Sequence, residues 1–458
     1  MNGYFLSSAQ AITASQFLCN HVPNYLQTLQ QFRLKHLISY AKKNSAFYNN
    51  KFQHISDNSF SIKNIPITTK SELMENFNIW VTDKDVNFSS AKKYCLDKTL
   101  IGNLYHGKYL IFESSGTSGT PGIFLHDLKS VYLYQALEVF RKASHSLFGQ
   151  FFSHLLQQER IAYIGALNGH YPSTAAIQFN QICHPALAFI VRQISIYENY
   201  TNLTKMLNDY SPTIIATYPS MALSLAELVK SHQLKIQPRE IWLGGENLDR
   251  PQKSYIESNL NTKVLNSYGS SEFPPIAWEC DSGKLHVNAD WIVLEGVQKD
   301  YSLTPVGEFS NSCLITNLSN TIQPFIRYEL GDQIRFHGFD CACGNKFPTI
   351  DIRGRSSDIL QIKDRLGNTV NIPSIELNTL LEEYGFFNFL IKQGANCDLT
   401  IYLSTFSNAL IENCSQIIAR FLQERNLVLP NIKVCKQIKY KHKRHSGKLI
   451  NSVKMSAS

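Results

Sequence analysis

The chain has 458 residues, which predicts two or more domains, and its 43% hydrophobic and 17% charged residues exclude disorder as the main state. The net charge of +8 is modest, and basic residues are dense only from Lys436 to Arg444, so a nucleic-acid-binding protein is disfavoured. Ten cysteines without regular spacing fit a reducing compartment better than a disulfide scaffold.

The N-terminal residues Met1 to Gln30 lack the charged and apolar segments of a signal peptide. No window reaches the ~18 apolar residues that are needed to span a bilayer. We therefore expect a cytoplasmic protein without a membrane span.

Helices are expected first along the chain. Between Tyr25 and Ala46, apolar residues recur at roughly helical spacing. A second helix is predicted after Pro66-Ile67-Thr68-Thr69, where Thr68 or Thr69 would cap it with Glu72 near the N3 position.

From about residue 105, short apolar runs typical of strands alternate with helical stretches. The strands are expected at Tyr109–Phe112, Arg160–Ile164, Thr213–Thr217, Glu240–Leu243 and Lys263–Asn266. The helices are expected at Ser130–Ala143, Met221–Ser231 and Arg250–Leu260. This alternation predicts α/β layering, with ligand-binding loops at the carboxyl ends of the strands.

The pattern changes near residue 285. An antiparallel β section is expected at Trp291–Glu295, Cys313–Asn317 and Gln333–His337. After Arg355 the chain reads as a small α+β unit, with strands at Ile359–Ile362 and Leu399–Leu403 and helices at Ile375–Tyr384 and Ala409–Glu424. We therefore predict a large layered α/β domain with a β section, residues 1–356, followed by a small α+β domain, residues 357–458.

A Ser/Gly-rich run follows the first predicted strand and reads Ser114-Ser115-Gly116-Thr117-Ser118-Gly119. Hydroxyl groups and closely approaching backbone N–H groups are what a phosphate chain requires. Flexible linkers have the same composition, so the run alone leaves both interpretations open. No Gly-Lys-Ser/Thr sequence follows, which disfavours a P-loop NTPase.

Four further blocks follow the Ser/Gly run: Tyr268-Gly269-Ser270-Ser271-Glu272, Arg327 to Asp332, Gly354 to Asp358, and Gly447-Lys448. In this order the blocks resemble the motifs of the adenylate-forming superfamily, which includes the acyl-CoA ligases. Three stretches resemble the phenylacetate–CoA ligase branch and its capsule-biosynthesis relatives. They are Pro324 to Asp332, which contains the Arg327 to Asp332 block, Gly244-Gly245-Glu246, and Pro66 to Lys70. The resemblance extends over roughly residues 60 to 450.

The resemblance implies a ligase that activates a carboxylic acid with ATP, forming an acyl-adenylate and pyrophosphate, and then passes the acyl group to a thiol. Coenzyme A is the expected acceptor. An amine or a carrier protein stays open as the acceptor. A homodimer also stays open as the oligomeric state. A catalytically silent nucleotide-binding protein is a third alternative, against which the intact Glu272, Asp332 and Lys448 argue.

The resemblance also implies roles for the phosphate-binding residues. Ser114 to Gly119, with Thr117 among the catalytic residues, would close over the β- and γ-phosphates. Glu272 would bind Mg²⁺, a hard cation that prefers carboxylate and phosphate oxygens. Lys448 would reach in from the C-terminal domain, implied to be mobile, and neutralise charge during adenylation.

The same resemblance assigns the nucleoside contacts. Tyr268, followed by Gly269, Ser270 and Ser271, would pack on adenine. The rest of the purine slot would be Gly244, Gly245, Glu246 and Asn247, although relatives often carry Pro in place of Asn247. Asp332 would accept hydrogen bonds from the ribose hydroxyls, and Arg355 would lie near the same sugar. The hinge between the domains would fall at Ser357-Asp358, where many relatives have Asp at the first position.

The acid would be bound, by resemblance, by residues that include Asn168, His170, Tyr218 and Trp242. This mixture of aromatic and polar groups suits an aryl acid with a polar substituent, and a short acyl chain is nearly as compatible.

A separate set of residues matches a metal site. Cys280, His286, Cys341 and Cys343 would supply three sulfurs and one imidazole, the ligands of a closed structural zinc site. Cysteines are also commonly buried as small apolar side chains, which is the alternative interpretation.

Overall fold

The computed structural model describes most of the chain. The described residues are 3–56, 60–114, 122–142, 159–355, 359–373, 377, 380–381, 384, 386, 389–394, 397–403, 408–425, 427–436 and 452–454. They divide into two compact units: Met1–Tyr197 with Leu265–Ile352, and Glu198–Val264 with Arg353–Ser458. The predicted division at residues 356 and 357 stays a prediction. Within the described part, no helix combines the length and the apolar character that crossing a bilayer requires.

The first unit contains nine α-helices among its described residues: α1 (Gly3–His21), α2 (Tyr25–Asn44), α3 (Ala46–Lys51), α4 (Lys70–Glu75), α5 (Phe77–Trp80), α6 (Phe88–Leu96), α7 (Leu128–Lys142), α8 (Pro172–Cys183) and α9 (Leu187–Ile190). Two short 3₁₀ helices lie at Ile62–Asn64 and Lys98–Leu100. Thr69, one of the two predicted caps, begins α4, because its side chain accepts a hydrogen bond from Glu72 N–H at 3.3 Å.

The strands of the first unit are β1 (Tyr109–Glu113), β2 (Ile123–Asp127), β3 (Ile161–Gly165), β4 (Val191–Ser195), β7 (Lys263–Tyr268, which begins in the second unit), β8 (Ala277–Glu279), β9 (Leu285–Val287), β10 (Ile292–Val297), β11 (Ser312–Asn317), β12 (Tyr328–Glu329), β13 (Asp332–Gly338) and β14 (Thr349–Arg355, which ends in the second unit). Strands β1 and β2 form an antiparallel hairpin, and β3 and β4 are parallel. Strands β7, β8, β9 and β14 are antiparallel in that order, and β13 borders β14. A separate antiparallel sheet consists of β10, β11 and β12.

Aromatic side chains fill the core of the first unit. Trp80, Phe124 and Phe325 are fully buried, and the ring of Phe325 lies 5.3 Å from that of Trp80 and 5.4 Å from that of Phe124. Burial of each such side chain contributes on the order of 2 kcal/mol. The carbonyl of Pro324, next to this cluster, accepts hydrogen bonds from Tyr48 Oη and Trp80 Nε1. The Pro324 to Asp332 block is therefore anchored in the core.

The second unit contains parallel strands β5 (Ile214–Thr217) and β6 (Glu240–Leu243), with helices α10 (Tyr200–Tyr210), α11 (Pro219–Lys230) and α12 (Arg250–Leu260). A complete capping box begins α12: Asp249 accepts from Gln252 N–H at 2.8 Å, and Gln252 accepts from Asp249 N–H at 3.3 Å. This start agrees with the predicted helix Arg250–Leu260.

The C-terminal part of the second unit has its own sheet and core. It comprises the β15 (Ile359–Lys363) and β16 (Thr369–Pro373) hairpin and a sheet of β19 (Ile432–Lys436), β18 (Leu399–Leu403), β17 (Phe389–Gln393) and β20 (Ser452–Lys454) in that order. Helix α13 (Asn408–Glu424) contributes Cys414, Ile418 and Leu422 to the core. The predicted fold class is confirmed: a large layered α/β region with a β section, followed by a small C-terminal α+β region. Most of the predicted helix Ile375–Tyr384 lies outside the described residues.

Candidate active site

Ser114 is the member of the Ser/Gly run that the structure describes, and it directly follows β1. Its Oγ accepts hydrogen bonds from Gly122 N–H and from the Lys70 ammonium, both at 2.8 Å. Its N–H donates to the Gly122 carbonyl at 3.0 Å. Ser114 and Gly122, the described residues on either side of the run, are therefore hydrogen-bonded to each other, and Lys70 brings a cation to this position, which suits an anionic ligand. The predicted residues from Ser115 to Gly119, including Thr117, lie outside the described residues.

Lys70 is placed by the Pro66 to Lys70 stretch. Thr68 N–H donates to the Arg327 carbonyl, and Glu329 N–H donates to the Thr68 carbonyl, both at 3.0 Å. The Thr68 hydroxyl also donates to the Ile326 carbonyl at 2.9 Å. Because this stretch pairs with the Pro324 to Asp332 block and ends beside Ser114, it connects two of the predicted nucleotide-binding blocks.

Tyr268 and Asp332, predicted to contact adenine and ribose, lie together at the end of β7 and the start of β13. The Tyr268 hydroxyl donates a hydrogen bond to Asp332 Oδ2 at 2.7 Å. Burial, together with the nearby Asp332 carboxylate, raises the pKa of the Tyr268 phenol well above its usual value. The phenol therefore keeps its proton and acts as the donor of this bond.

The turn after Tyr268 has no room for a side chain at Gly269. A Cβ at this position would lie 1.7 Å from the Pro274 carbonyl oxygen. Ser270 stabilises the turn, because its Oγ accepts from Phe273 N–H at 3.3 Å and its own N–H donates to the Phe273 carbonyl at 3.2 Å. The Gly-Ser-Ser sequence thus builds a tight turn that presents Glu272.

Glu272 is buried, with 6% of its surface exposed. Among the residues that the structure describes, none donates a hydrogen bond to its carboxylate. The preceding residue links this turn to the phosphate run, because Ser271 Oγ donates to the carbonyl of Glu113 at 3.1 Å and Glu113 directly precedes Ser114. The two blocks predicted to bind phosphate and Mg²⁺ are therefore adjacent.

His170, predicted to contact the acid, is fully buried beside the same strand end. Glu113 N–H donates to the His170 carbonyl at 2.7 Å, and His170 N–H donates to Glu113 Oε2 at 3.0 Å. Burial lowers the pKa of the His170 imidazole, which therefore stays neutral. Asn168, two residues earlier, is exposed.

The other predicted purine and acid residues lie in the second unit, at the carboxyl ends of parallel strands β5 and β6. Glu246 accepts hydrogen bonds from Ser220 N–H at 3.0 Å and from Ser220 Oγ at 3.1 Å. Its carboxylate thereby caps helix α11, at whose N-terminus Tyr218 provides no side-chain cap. Trp242 Nε1 donates to Glu240 at 2.8 Å. Gly245 follows Gly244 with φ of 79°, a conformation that favours glycine, and Asn247 lies two residues beyond it.

Four further predicted residues are described incompletely or not at all. Arg355 is the last residue of β14, but its side chain lies outside the described part of the structure. Lys448 and the hinge residues Ser357 and Asp358 also lie outside it. Their predicted roles stay predictions.

The four predicted metal ligands come together in the first unit. The ligand atoms of Cys280, His286, Cys341 and Cys343 all lie within 4.8 Å of one another. Cys280 Sγ is 3.7 Å from Cys341 Sγ, and Cys343 Sγ is 3.3 Å from His286 Nε2. His286 Nδ1 is 2.9 Å from the carbonyl of Phe347, so it carries the proton and leaves Nε2 as a lone-pair donor towards the sulfurs.

Sequence reasoning placed Lys70 in the Pro66 to Lys70 stretch without assigning it a role, and it did not single out Glu113, His126 and Asn317, which also lie near these blocks. For His126 and Asn317, the sequence signal that was available was a polar residue within an apolar run. His126 is fully buried in β2, and Asn317 is fully buried at the end of β11. Buried polar side chains of this kind are held by hydrogen bonds, so they indicate local networks.

Comparison with known proteins defines the class of fold first. The chain matches no family model. Its structure is similar to that of 2-hydroxyisobutyryl-CoA ligase in the postadenylation state with 2-HIB-AMP, with a TM-score of 0.69 and 18% identity over 95% of this chain and 90% of that one. It is also similar to the anthranilate CoA ligase AuaEII, with a TM-score of 0.51 and 14% identity over 74% of this chain and 64% of that one. The fold is that of adenylate-forming ligases.

Two curated relatives identify the branch. The chain is 23% identical to protein CapK of Staphylococcus aureus over 360 residues, 75% of this chain and 70% of that protein. It is 28% identical to phenylacetate-coenzyme A ligase of Thermus thermophilus over 169 residues, 34% of this chain and 37% of that protein. These similarities confirm the predicted resemblance to the AMP-forming acid–thiol ligases and to their phenylacetate–CoA ligase-like branch.

Proposed function

We propose that this protein activates a carboxylic acid with ATP, forming an acyl-adenylate and pyrophosphate, and transfers the acyl group to the thiol of coenzyme A. One observation carries the proposal most directly. The Ser271 hydroxyl donates to the Glu113 carbonyl at 3.1 Å, so the Glu272 turn adjoins the strand end from which the Ser114 run begins. A carboxylate beside a phosphate-binding run is the arrangement that phosphoryl chemistry with a divalent cation requires.

Glu272 fits a Mg²⁺ ligand by its chemistry. It supplies hard oxygen donors from a buried position, and no other described side chain competes for its carboxylate. Bound Mg²⁺ would neutralise charge on the phosphoryl oxygens. Lys70, near Ser114, would supply a further positive charge at the same end of the site.

The acid is proposed to be an aryl or a short acyl acid. The similar structures support small acids, since they are named for 2-hydroxyisobutyryl and for anthranilate. Asn168, His170, Tyr218 and Trp242 remain the proposed acid-binding residues. The buried, neutral His170 could contact the acid through its imidazole only if the loop that carries it rearranged.

The test is acid-dependent exchange of labelled pyrophosphate into ATP with a panel of aryl and short-chain acids. Exchange with at least one acid is expected, and Glu272→Gln should abolish it. The adenylate is then trapped with CoA, hydroxylamine, amines or carrier protein. A thioester with CoA supports the proposal, whereas transfer only to an amine or a carrier protein reassigns the acceptor. Absence of exchange with every acid would contradict the adenylation and favour a silent nucleotide-binding protein.

We also propose that Cys280, His286, Cys341 and Cys343 bind one structural Zn²⁺. Three thiolates and one imidazole match the ligands that zinc prefers, and the Nδ1 proton on the Phe347 carbonyl orients the imidazole for binding through Nε2. Four protein ligands leave no open coordination position, so the metal would stabilise the fold rather than take part in catalysis.

A further inference from the structure

A buried polar network lies behind the Glu272 turn. His126 Nδ1 is 3.1 Å from Tyr134 Oη and 3.3 Å from Asn320 Nδ2, and Asn317 Nδ2 donates to Tyr134 Oη at 3.1 Å. Asn317 Oδ1 in turn accepts from Ser319 N–H at 3.0 Å and from Asn320 N–H at 3.2 Å. The network thus joins β2, α7 and the end of β11.

Two donors of this network hold consecutive carbonyl groups of the turn. His126 Nε2 is 3.0 Å from the Ser271 carbonyl, and Asn317 Nδ2 donates to the Glu272 carbonyl at 3.0 Å. A carbonyl can only accept, so His126 carries its proton on Nε2 and uses Nδ1 as an acceptor from Tyr134 or Asn320. Burial lowers the pKa of His126 to about 3, so this neutral tautomer persists at physiological pH.

The turn is also held from the opposite direction. Ser271 Oγ donates to the Glu113 carbonyl at 3.1 Å, so the hydroxyl of Ser271 is tied to β1 while its carbonyl is tied to β2. The carboxylate of Glu272, in contrast, receives no hydrogen bond from the described residues. The main chain at Glu272 fixes the Cα–Cβ direction from which this carboxylate extends.

We propose that His126 and Asn317 are positioning residues, which hold the carbonyls of Ser271 and Glu272 and thereby aim the Glu272 carboxylate at the divalent cation of a bound nucleotide. This inference rests on the proposed function. Polar ligands must be held within about 0.5 Å of the productive geometry, and a supporting layer of hydrogen bonds provides that precision. In this proposal neither residue contacts the nucleotide itself.

Two substitutions of His126 separate its two hydrogen-bonding ends. The amide of Gln reaches the position of imidazole Nε2, whereas the amide of Asn reaches only that of Nδ1. His126→Gln therefore retains a donor for the Ser271 carbonyl, and His126→Asn retains only the contacts with Tyr134 and Asn320. Tyr134→Phe is the matched control, because it removes the shared hydroxyl and leaves both carbonyl contacts in place.

The measurement is calorimetric binding of ATP, with Mg²⁺ and in EDTA, to the full chain. His126→Asn should weaken binding of Mg·ATP about 10-fold, a loss of the size expected from one hydrogen bond, with a smaller effect in EDTA. His126→Gln and Tyr134→Phe should stay within about 3-fold of the wild type. In pyrophosphate exchange, His126→Asn should raise KM for Mg·ATP while transfer from a supplied acyl-adenylate is preserved.

Urea unfolding of each variant shows whether the fold is intact. If His126→Asn does not fold, Mg·ATP binding is measured with Asn317→Asp instead. This variant replaces the donor to the Glu272 carbonyl with an acceptor, so it should weaken Mg·ATP binding similarly. Equal Mg·ATP affinities for the Asn and Gln variants of His126, or an equal loss in Tyr134→Phe, would overturn the positioning role. If wild-type protein binds no Mg·ATP, the proposed function itself fails and the inference fails with it.

Discussion

The hydroxyl of Tyr268 donates a 2.7 Å hydrogen bond to Oδ2 of Asp332, although the two residues belong to separate sequence blocks. Their predicted roles concern different parts of the nucleotide, the adenine and the ribose. The bond fixes the orientation of the carboxylate and leaves Oδ1 in a defined direction, which is what recognition of ribose hydroxyls would require.

Tyr268→Phe should therefore weaken nucleotide binding without a matching loss of turnover. The ring that would pack on adenine is retained, but the carboxylate of Asp332 loses a charge-assisted hydrogen bond of about 1.5–3 kcal/mol. KM for ATP in pyrophosphate exchange is expected to rise about 10-fold, with kcat changed less than about 3-fold. An unchanged KM would show that this bond does not orient the carboxylate, and Asp332→Asn provides the comparison for its complete loss.

Lys448→Ala should abolish pyrophosphate exchange and leave transfer from a preformed acyl-adenylate largely intact. The predicted role of Lys448 is to neutralise charge that develops only while adenylation takes place. Both half-reactions are measured separately, the first by exchange and the second by thioester formation from synthetic acyl-adenylate. Equal loss of both would exclude the assignment.

Purified protein should contain about one zinc per chain, and Cys343→Ala should lose it. Removal of one ligand leaves three donors around a site that needs four, and the melting temperature should fall as well. Elemental analysis and thermal unfolding check both effects. Cys183→Ala is the control, because Cys183 is exposed and lies outside the cluster. Wild-type protein that is free of zinc would contradict the proposal.

Acid should destabilise the protein partly through His126, whose buried imidazole has its pKa lowered to about 3. A histidine in the unfolded chain titrates near ~6.5, so below that pH the unfolded state binds a proton that the folded state excludes. The free energy of unfolding then falls with decreasing pH, from ~6.5 towards ~3, by up to about 1.4 kcal/mol per pH unit from this residue.

In His126→Gln this contribution is absent, so the free energy of unfolding should fall less steeply between about pH 6.5 and pH 4.5. Urea titrations at several pH values measure the slope. His36→Gln, at an exposed position, is expected to keep the wild-type slope. A His126→Gln slope equal to that of the wild type would contradict the prediction.

Arg327 should be required for stability rather than for chemistry. It donates to the two carboxylate oxygens of Glu295 at 3.1 Å and to the Ile65 carbonyl at 2.7 Å. The side chains of Arg327 and Glu295 are each 6% exposed. Arg327→Leu leaves a buried carboxylate without its partner and should cost about 3–5 kcal/mol in the free energy of unfolding. The double variant Arg327→Leu/Glu295→Leu should recover part of this loss. A double variant no more stable than the single one would contradict the explanation.

The sequence predicted those parts of the fold that local pattern controls. The alternating apolar runs located β5 and β6 correctly, and the helical spacing located α12, because these patterns depend on near neighbours. The antiparallel return of β2 after the Ser/Gly run was not predicted. Its pairing with β1 joins residues on either side of the Ser/Gly run, and the sequence of that run has no apolar periodicity from which the pairing could be predicted.

The candidate site was predictable to the extent that residues carry known chemistry. Cys280, His286, Cys341 and Cys343 were recognised by ligand type, and the structure brings them together. The positioning role proposed for His126 could not be predicted from the sequence, because its partner, the carbonyl of Ser271, is a main-chain group that every residue type carries. Likewise, the pairing of Thr68 with Arg327 depends on contacts between distant parts of the chain.

The four proposed zinc ligands come from two segments of the chain that are synthesised at different times. Cys280 directly follows β8 and His286 lies within β9, whereas Cys341 and Cys343 lie between β13 and β14, and β14 pairs Thr349 with His286. With zinc bound as proposed, a growing chain on the ribosome could assemble only half of the site until residue 343 had emerged.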